Sequence, residues 1–153
     1  MSRSSDVIHI LAGKTLATAE SLTGGGIGAA LTAVSGSSAV YKGGVISYTN
    51  EIKRALLGVS AETLDRYGAV SQQTAGEMVS GVRKLLNADI AVSATGLAGP
   101  GGDEFGNPVG TVYIGYEDSR HSVVQHYCFS GDRDAVRTQT VEAALELILR
   151  YNA

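Results

Sequence analysis

The sequence predicts an α/β fold, a three-layer α/β/α arrangement around a mixed sheet of about five strands. Helix-period and strand-like segments alternate along the 153 residues. Glycine-rich breaks fall at the ends of apolar runs, where the chain must turn or let a backbone approach closely. Near the end, two alternating segments, Val109–Tyr116 and His121–Ser130, flank the polar turn Glu117–Arg120 and read as an antiparallel hairpin.

In chain order, Asp6–Ala12 is expected to form a first helix, capped by Ser4 or Ser5. Lys14–Ala19 is the first strand, and a helix over Gly25–Ala33 follows, with an Ala/Gly surface suited to close packing on a sheet. Ser35–Ser38 is a polar turn. Val40–Tyr48 alternates as a second strand, and Gly43-Gly44 within it signals a bulge or a close approach. Thr49-Asn50 looks like a cap for the helix Glu51–Leu57, which Gly58 ends. Ser60 caps a segment to Tyr67. Ser71 opens a longer helix to Leu86, with Ala75, Met78, Val79 and Val82 at helical spacing. Asp89–Ala94 is a short apolar strand of the kind found at a sheet centre. The glycine-rich loop Thr95–Pro108 follows it. After the hairpin, Gly131-Asp132-Arg133 caps a last helix, Asp134–Tyr151, with Val136, Val141, Ala144, Leu145 and Ile148 on one face. No internal repeat or linker interrupts the chain, so residues 1–153 are expected to be a single domain.

Composition excludes several classes. The net charge of −3 comes without a basic stripe, so no nucleic acid partner is expected. No run of about 20 apolar residues and no leader pattern is present, so no membrane association is expected. The single cysteine, Cys128, cannot form an internal disulfide; a cytoplasmic location and a buried structural role fit it best.

The chemistry centres on Ala19-Glu20-Ser21-Leu22-Thr23-Gly24-Gly25, which has the grammar of a strand end, a tight loop and a helix start. Backbone N–H groups at such a start receive anions or a developing oxyanion. From Ser21 to Asn50 the only charged residue is Lys42, which also suits an anionic ligand. The Gly-Lys-Ser/Thr of a P-loop is absent. A dinucleotide fingerprint over Gly24, Gly26 and Ala29 lacks the ribose-binding acid about 20 residues on.

A serine needs a base. None of His9, His121 and His126 sits at the end of a presumed parallel strand, so Ser-His-Asp catalysis is disfavoured. Lys53 falls in the first turn of its helix, where the dipole disfavours its charge and desolvation would lower its pKa toward that of a base. Spacing alone favours a solvated surface lysine. Tyr48, at a strand end, could relay a proton. Loops after the first three strands should converge at one sheet edge, bringing Ser21, Tyr48, Lys53 and Thr95 together. Arg133 and Arg137 share a helix face and are candidate phosphate clamps, with Arg137 preferred.

Ala19–Gly25, Gly36-Ser37-Ser38, Gly44–Lys53, Gly68-Ala69-Val70-Ser71, Thr95–Pro100, Pro108–Val112 and Gly131-Asp132-Arg133 together resemble, in order, the CinA C-terminal domain family. The resemblance runs from about Leu16 to Leu149 and implies a three-layer α/β/α domain. It implies a nicotinamide-nucleotide amidohydrolase that converts nicotinamide mononucleotide to nicotinic acid mononucleotide and ammonia, with no metal and no cofactor. Ser21 would be the nucleophile, Lys53 the base and Tyr48 the accompanying tyrosine. Thr23, Gly24, Gly25, Ser37, Ser38, Asn50, Thr95, Gly96, Ala98, Gly99 and Arg137 are the expected substrate-binding residues. The expected oxyanion seat is the N–H groups of Thr23–Gly25.

Many relatives carry a larger N-terminal domain, so the stand-alone form is the expected counterpart. The sequence departs from the family in having Ser35 where proline usually precedes Gly-Ser-Ser, and in a variable loop between Gly101 and Pro108 that leaves the role of Glu104 open. The alternative function is a non-catalytic nucleotide-binding module associated with competence or the DNA-damage response. The expected partner is a small pyridine nucleotide, and a homo-oligomer fits the Ala/Gly-rich helix surface and the hairpin.

Overall fold

The computed structural model describes residues 2–153. Its elements are α1 (Arg3–Ile10), β1 (Leu16–Glu20), α2 (Gly26–Thr32), β2 (Tyr41–Ile46), α3 (Asn50–Leu57), α4 (Ala61–Tyr67), α5 (Gln72–Leu85), β3 (Ile90–Gly96), β4 (Thr111–Glu117), β5 (Ser122–Cys128) and α6 (Arg133–Asn152), with a single 3₁₀ turn at Ser37–Ala39. The first helix starts earlier than its apolar pattern implies. Ser2, not Ser4 or Ser5, is the cap and accepts from the Ser5 amide, while Leu11 leaves the helical region before Gly13 turns with φ of 88°. The other caps follow local chemistry: Thr49, Ser60, Ser71 and Asp132 each accept from a first-turn amide.

The sheet runs β2-β1-β3-β4-β5. β1 is parallel to both β2 and β3, whereas β3–β4 and β4–β5 are antiparallel, giving the expected mixed sheet with its hairpin. Every residue of β1 is buried, as a strand covered on both faces requires. Alternation sends Leu16, Ile90, Val92 and Ile114 to one face, against Val7 of α1, Ile27 and Leu31 of α2, and Leu145 and Ile148 of α6. Ala17, Ala19 and Ala91 face the other way, against Leu57, Leu64, Met78, Val79 and Val82 of α3, α4 and α5. The small alanines on that face let α5 approach the sheet.

Two glycines permit contacts that position the site. β2 carries a register shift opposite Leu16/Ala17, and a Cβ on Gly44 would lie 2.2 Å from Thr18 Oγ1. A Cβ on Gly81 of α5 would lie 1.9 Å from the Leu57 carbonyl, so glycine alone allows α5 to press against the end of α3, the helix that carries Lys53. Parallel pairing then places the C-terminal ends of β1, β2 and β3 at one sheet edge, with Glu20 opposite both Ile46 and Ala94.

Candidate active site

Ser21 is the first residue beyond β1. Its amide donates to the Ala94 carbonyl on β3, which continues the sheet one residue past the strand and fixes where the side chain leaves. The hydroxyl is nearly buried, 7% exposed, at the floor of a cleft of about 300 Å³. That volume is at the small end of ligand sites. Its walls are Tyr48 after β2, Asn50 and Lys53 of α3, Ala69 and Val70 before α5, Thr95 and Gly96 at the end of β3, and Leu97, Ala98, Gly99 and Gly101 of the loop that follows.

Lys53 lies one turn into α3 and points inward. Its Nζ donates to Ser21 Oγ at 2.9 Å and to the Ser47 carbonyl at 2.7 Å. Ser47 is in turn tied to β1, its amide donating to the Glu20 carbonyl at 2.7 Å. The lysine is 1% exposed, and burial lowers its pKa from 10.5 to about 8. The surface-lysine alternative is therefore overturned. A neutral amine is accessible near physiological pH, and it already touches the serine hydroxyl.

This burial has a stability signature. With a folded-state pKa of about 8 against 10.5, the unfolded chain binds more protons between those values, so stability rises with pH across that window. Keeping the charge buried below about pH 8 costs about 3 kcal/mol. Lys53→Met is expected to flatten the rise, measured as urea-unfolding free energy at steps from pH 7 to 10.5.

Glu20 and the loop behind Ser21 differ from the sequence reading. Glu20 is 2% exposed, and its Oε1 accepts from Thr23 Oγ1 at 2.7 Å and the Ile27 amide at 2.8 Å. Its Oε2 accepts from the Gly28 amide at 2.9 Å. The α2 N-terminus is thus occupied by the chain's own carboxylate. The Gly26 amide donates to the Thr23 carbonyl and the Gly24 amide to the Ser21 carbonyl. The Gly24 and Gly26 amides therefore close the turn behind the nucleophile, and Thr23, Gly24 and Gly25 are not among the residues lining the cleft. Leu22, next to Ser21, does line the cleft, and its amide has no acceptor among the described residues.

The expected substrate-binding residues divide into two groups. Asn50, Thr95, Gly96, Ala98 and Gly99 line the cleft with Ser21, Lys53 and Tyr48. Thr95 Oγ1 donates to the Ala69 carbonyl at 2.7 Å, tying the β3 loop to the opposite wall. Thr23, Gly24 and Gly25 lie behind the serine and do not line it. Ser37 and Ser38 precede β2, whose parallel partner β1 ends just before Ser21, so they sit at the opposite sheet edge, next to where Val40 accepts from Leu16.

Arg137 is also outside the cleft lining, its Nε donating to the Leu22 carbonyl at 2.9 Å and its Nη2 to the Thr23 carbonyl at 3.2 Å. The arginine lining the cleft is Arg133, which donates to Tyr48 Oη at 2.9 Å and to the Gly99 carbonyl at 2.7 Å. Tyr48 is thus bound to Arg133 rather than poised between Ser21 and Lys53.

Glu104 lines an adjoining cleft of about 300 Å³ that shares Asn50, Ala69, Val70 and Leu97 with the first. A larger, shallow groove of about 820 Å³ between α3 and α4 contains neither Ser21 nor Lys53. Cys128 is exposed on edge strand β5, not buried. Among the described residues no three His, Cys, Asp or Glu side chains group in a way that could hold a metal, and no helix is long and apolar enough to cross a membrane.

The family model of the CinA C-terminal domain matches residues 3–152. The chain belongs to the CinA C-terminal domain family. It is 50% identical over 137 residues to a putative competence-damage inducible protein of Thermoanaerobacter sp. strain X514, covering 90% of this chain and 33% of that protein. It is 45% identical over 138 residues to a CinA-like protein of Thermotoga maritima, covering 90% and 34%. The chain thus spans about a third of the length of the curated relatives it matches.

The crystal structure of a CinA superfamily protein from Klebsiella pneumoniae superposes with a TM-score of 0.93 at 40% identity, covering 95% of this chain and 92% of that one. One from Escherichia coli gives 0.95 at 34% identity, covering 97% and 88%. These CinA domains share the three-layer arrangement around the five-stranded sheet described above.

Proposed function

We propose that this CinA domain is a nicotinamide-nucleotide amidohydrolase that hydrolyses the carboxamide of nicotinamide mononucleotide, releasing ammonia and nicotinic acid mononucleotide. The observation that carries the reading is the buried Lys53 Nζ at 2.9 Å from Ser21 Oγ, a nucleophile in direct contact with an amine whose pKa burial has lowered to about 8. Ser21 Oγ bonds to the carboxamide carbon while its proton passes directly to the neutral Lys53 amine. The Leu22 amide receives the oxyanion. Collapse breaks the C–N bond, and Lys53 returns the proton to the leaving ammonia. Water then attacks the acyl-enzyme, giving a proton to Lys53, which passes it to Ser21 as the ester bond breaks. Arg133 is the cleft-lining cation that takes no part in the proton transfers, so the 5′-phosphate is assigned to its wall in preference to Arg137.

The test is ammonia release from nicotinamide mononucleotide by the purified chain across pH 5.5–9.5. Because the base must be neutral, kcat/KM is expected to rise about tenfold per unit up to about pH 8 and then level off. Saturable binding without ammonia would favour the non-catalytic module instead.

A further inference from the structure

Arg137 lies on α6, yet its guanidinium is spent on two main-chain carbonyls of the loop that follows the nucleophile, Leu22 and Thr23. In a planar trans peptide the C=O and the next N–H point in opposite directions. Holding the Leu22 carbonyl therefore fixes the Leu22–Thr23 peptide, and holding the Thr23 carbonyl fixes the Thr23–Gly24 peptide. The Gly24 amide, set by the second, donates to the Ser21 carbonyl at 3.1 Å. That bond fixes the Ser21–Leu22 peptide, whose N–H has no acceptor among the described residues and belongs to Leu22, the residue beside Ser21 in the cleft lining. Three successive peptides are thus locked in series from one guanidinium. Gly24 takes a φ of 59°, a left-handed conformation that favours glycine in this turn.

We propose that Arg137 is a positioning residue that holds the Leu22 amide as an oxyanion donor beside Ser21. It touches no reacting atom and acts through the turn. The proposal rests on the amidohydrolase reading for its substrate but not for its geometry, because any acylating or phosphonylating reagent of Ser21 meets the same donor.

The test compares wild type, Arg137→Met and Arg137→Lys by two readouts, with folding of each checked by thermal unfolding. One is labelling by an alkyl fluorophosphonate. In that reaction a Ser21 Oγ–P bond forms, the P–F bond breaks, fluoride leaves and the hydroxyl proton passes to Lys53. The other is turnover of nicotinamide mononucleotide.

Arg137→Met is expected to lower labelling and kcat by about 10²-fold, the loss seen when an oxyanion donor is misplaced. KM should stay within about threefold of wild type, and the pH midpoint should stay near 8, because the Lys53–Ser21 contact is untouched. Arg137→Lys, with one ammonium for two carbonyls, should fall between. A folded Arg137→Met that labels at the wild-type rate overturns the proposal. So does a raised KM with kcat intact, which would place Arg137 on the substrate. A wild type that labels but releases no ammonia refutes the substrate while the labelling ratio still decides the role of Arg137. A wild type that does not label overturns both.

Discussion

Ser21→Ala and Lys53→Met are each expected to lower kcat on nicotinamide mononucleotide by about 10³- to 10⁶-fold, and the double variant by no more than the worse single. The two side chains form one unit: the amine donates to the hydroxyl at 2.9 Å and is held by the Ser47 carbonyl on its other side. Without the lysine, the serine keeps its proton at neutral pH and is a poor nucleophile. Without the serine, the amine has nothing to activate. Once either is gone, removing the other costs little, so the losses cannot add.

KM should change far less than kcat, since the walls of the cleft are formed by Tyr48, Asn50, Ala98 and Arg133, which both variants leave in place. Single-turnover ammonia release with the three variants checks this. Losses that multiply would mean that serine and lysine act in separate steps. Ser21→Ala at wild-type rate would exclude acylation at this residue.

Glu20→Ala is expected to cost about 3–5 kcal/mol of folding stability, read as a lower urea midpoint with an unchanged slope. The carboxylate accepts from the Ile27 and Gly28 amides and the Thr23 hydroxyl in a buried setting. Each donor left without an acceptor there costs about 1–3 kcal/mol. Glu20→Gln keeps one acceptor oxygen but turns an NH₂ toward a donor, so it should recover only part of the loss. The same change loosens the chain immediately before Ser21, so activity should fall along with stability. A loss below about 1 kcal/mol would show that solvent or a shifted α2 satisfies these amides instead.

Much of the fold was legible because its signals are local. Apolar spacing at Ala75, Met78, Val79 and Val82, capping side chains at Ser60 and Ser71, and the two strand-like segments that flank the polar Glu117–Arg120 turn each report the element they sit in. The start of α1 was misread because Ser2 caps a polar first turn that has no apolar pattern to announce it. Cys128 was misread because alternation tells inside from outside only when both faces of a strand are distinct, and β5 is an edge.

The candidate site was legible in type but not in assembly. That a serine at a strand end and a lysine early in a helix carry the chemistry could be argued from residues 21 and 53 alone. The neighbouring assignments depended on how elements dock. Ser37 and Ser38 lie at the start of β2, so once β2 runs parallel to β1 they are carried to the far edge from Ser21. The sequence suggests the N–H groups of Thr23–Gly25 as a seat for an oxyanion, but the buried Glu20 carboxylate already occupies the helix start they lead into.

Arg133 and Arg137 are four residues apart on one helix face, and the sequence favours Arg137, the deeper of the two, as the phosphate clamp. Their places one turn apart along α6 decide otherwise: Arg133, at the helix start, lines the cleft, and Arg137 reaches the carbonyls of the Ser21 loop. By itself, then, the sequence determined the alternation of helices and strands, most of the caps, and the residue types capable of catalysis, because those properties depend on neighbours within a few positions. The tertiary structure decided which of them meet. The contact between Ser21 and Lys53 spans 32 positions, and the burial that tunes the lysine is supplied by surrounding elements no local pattern describes.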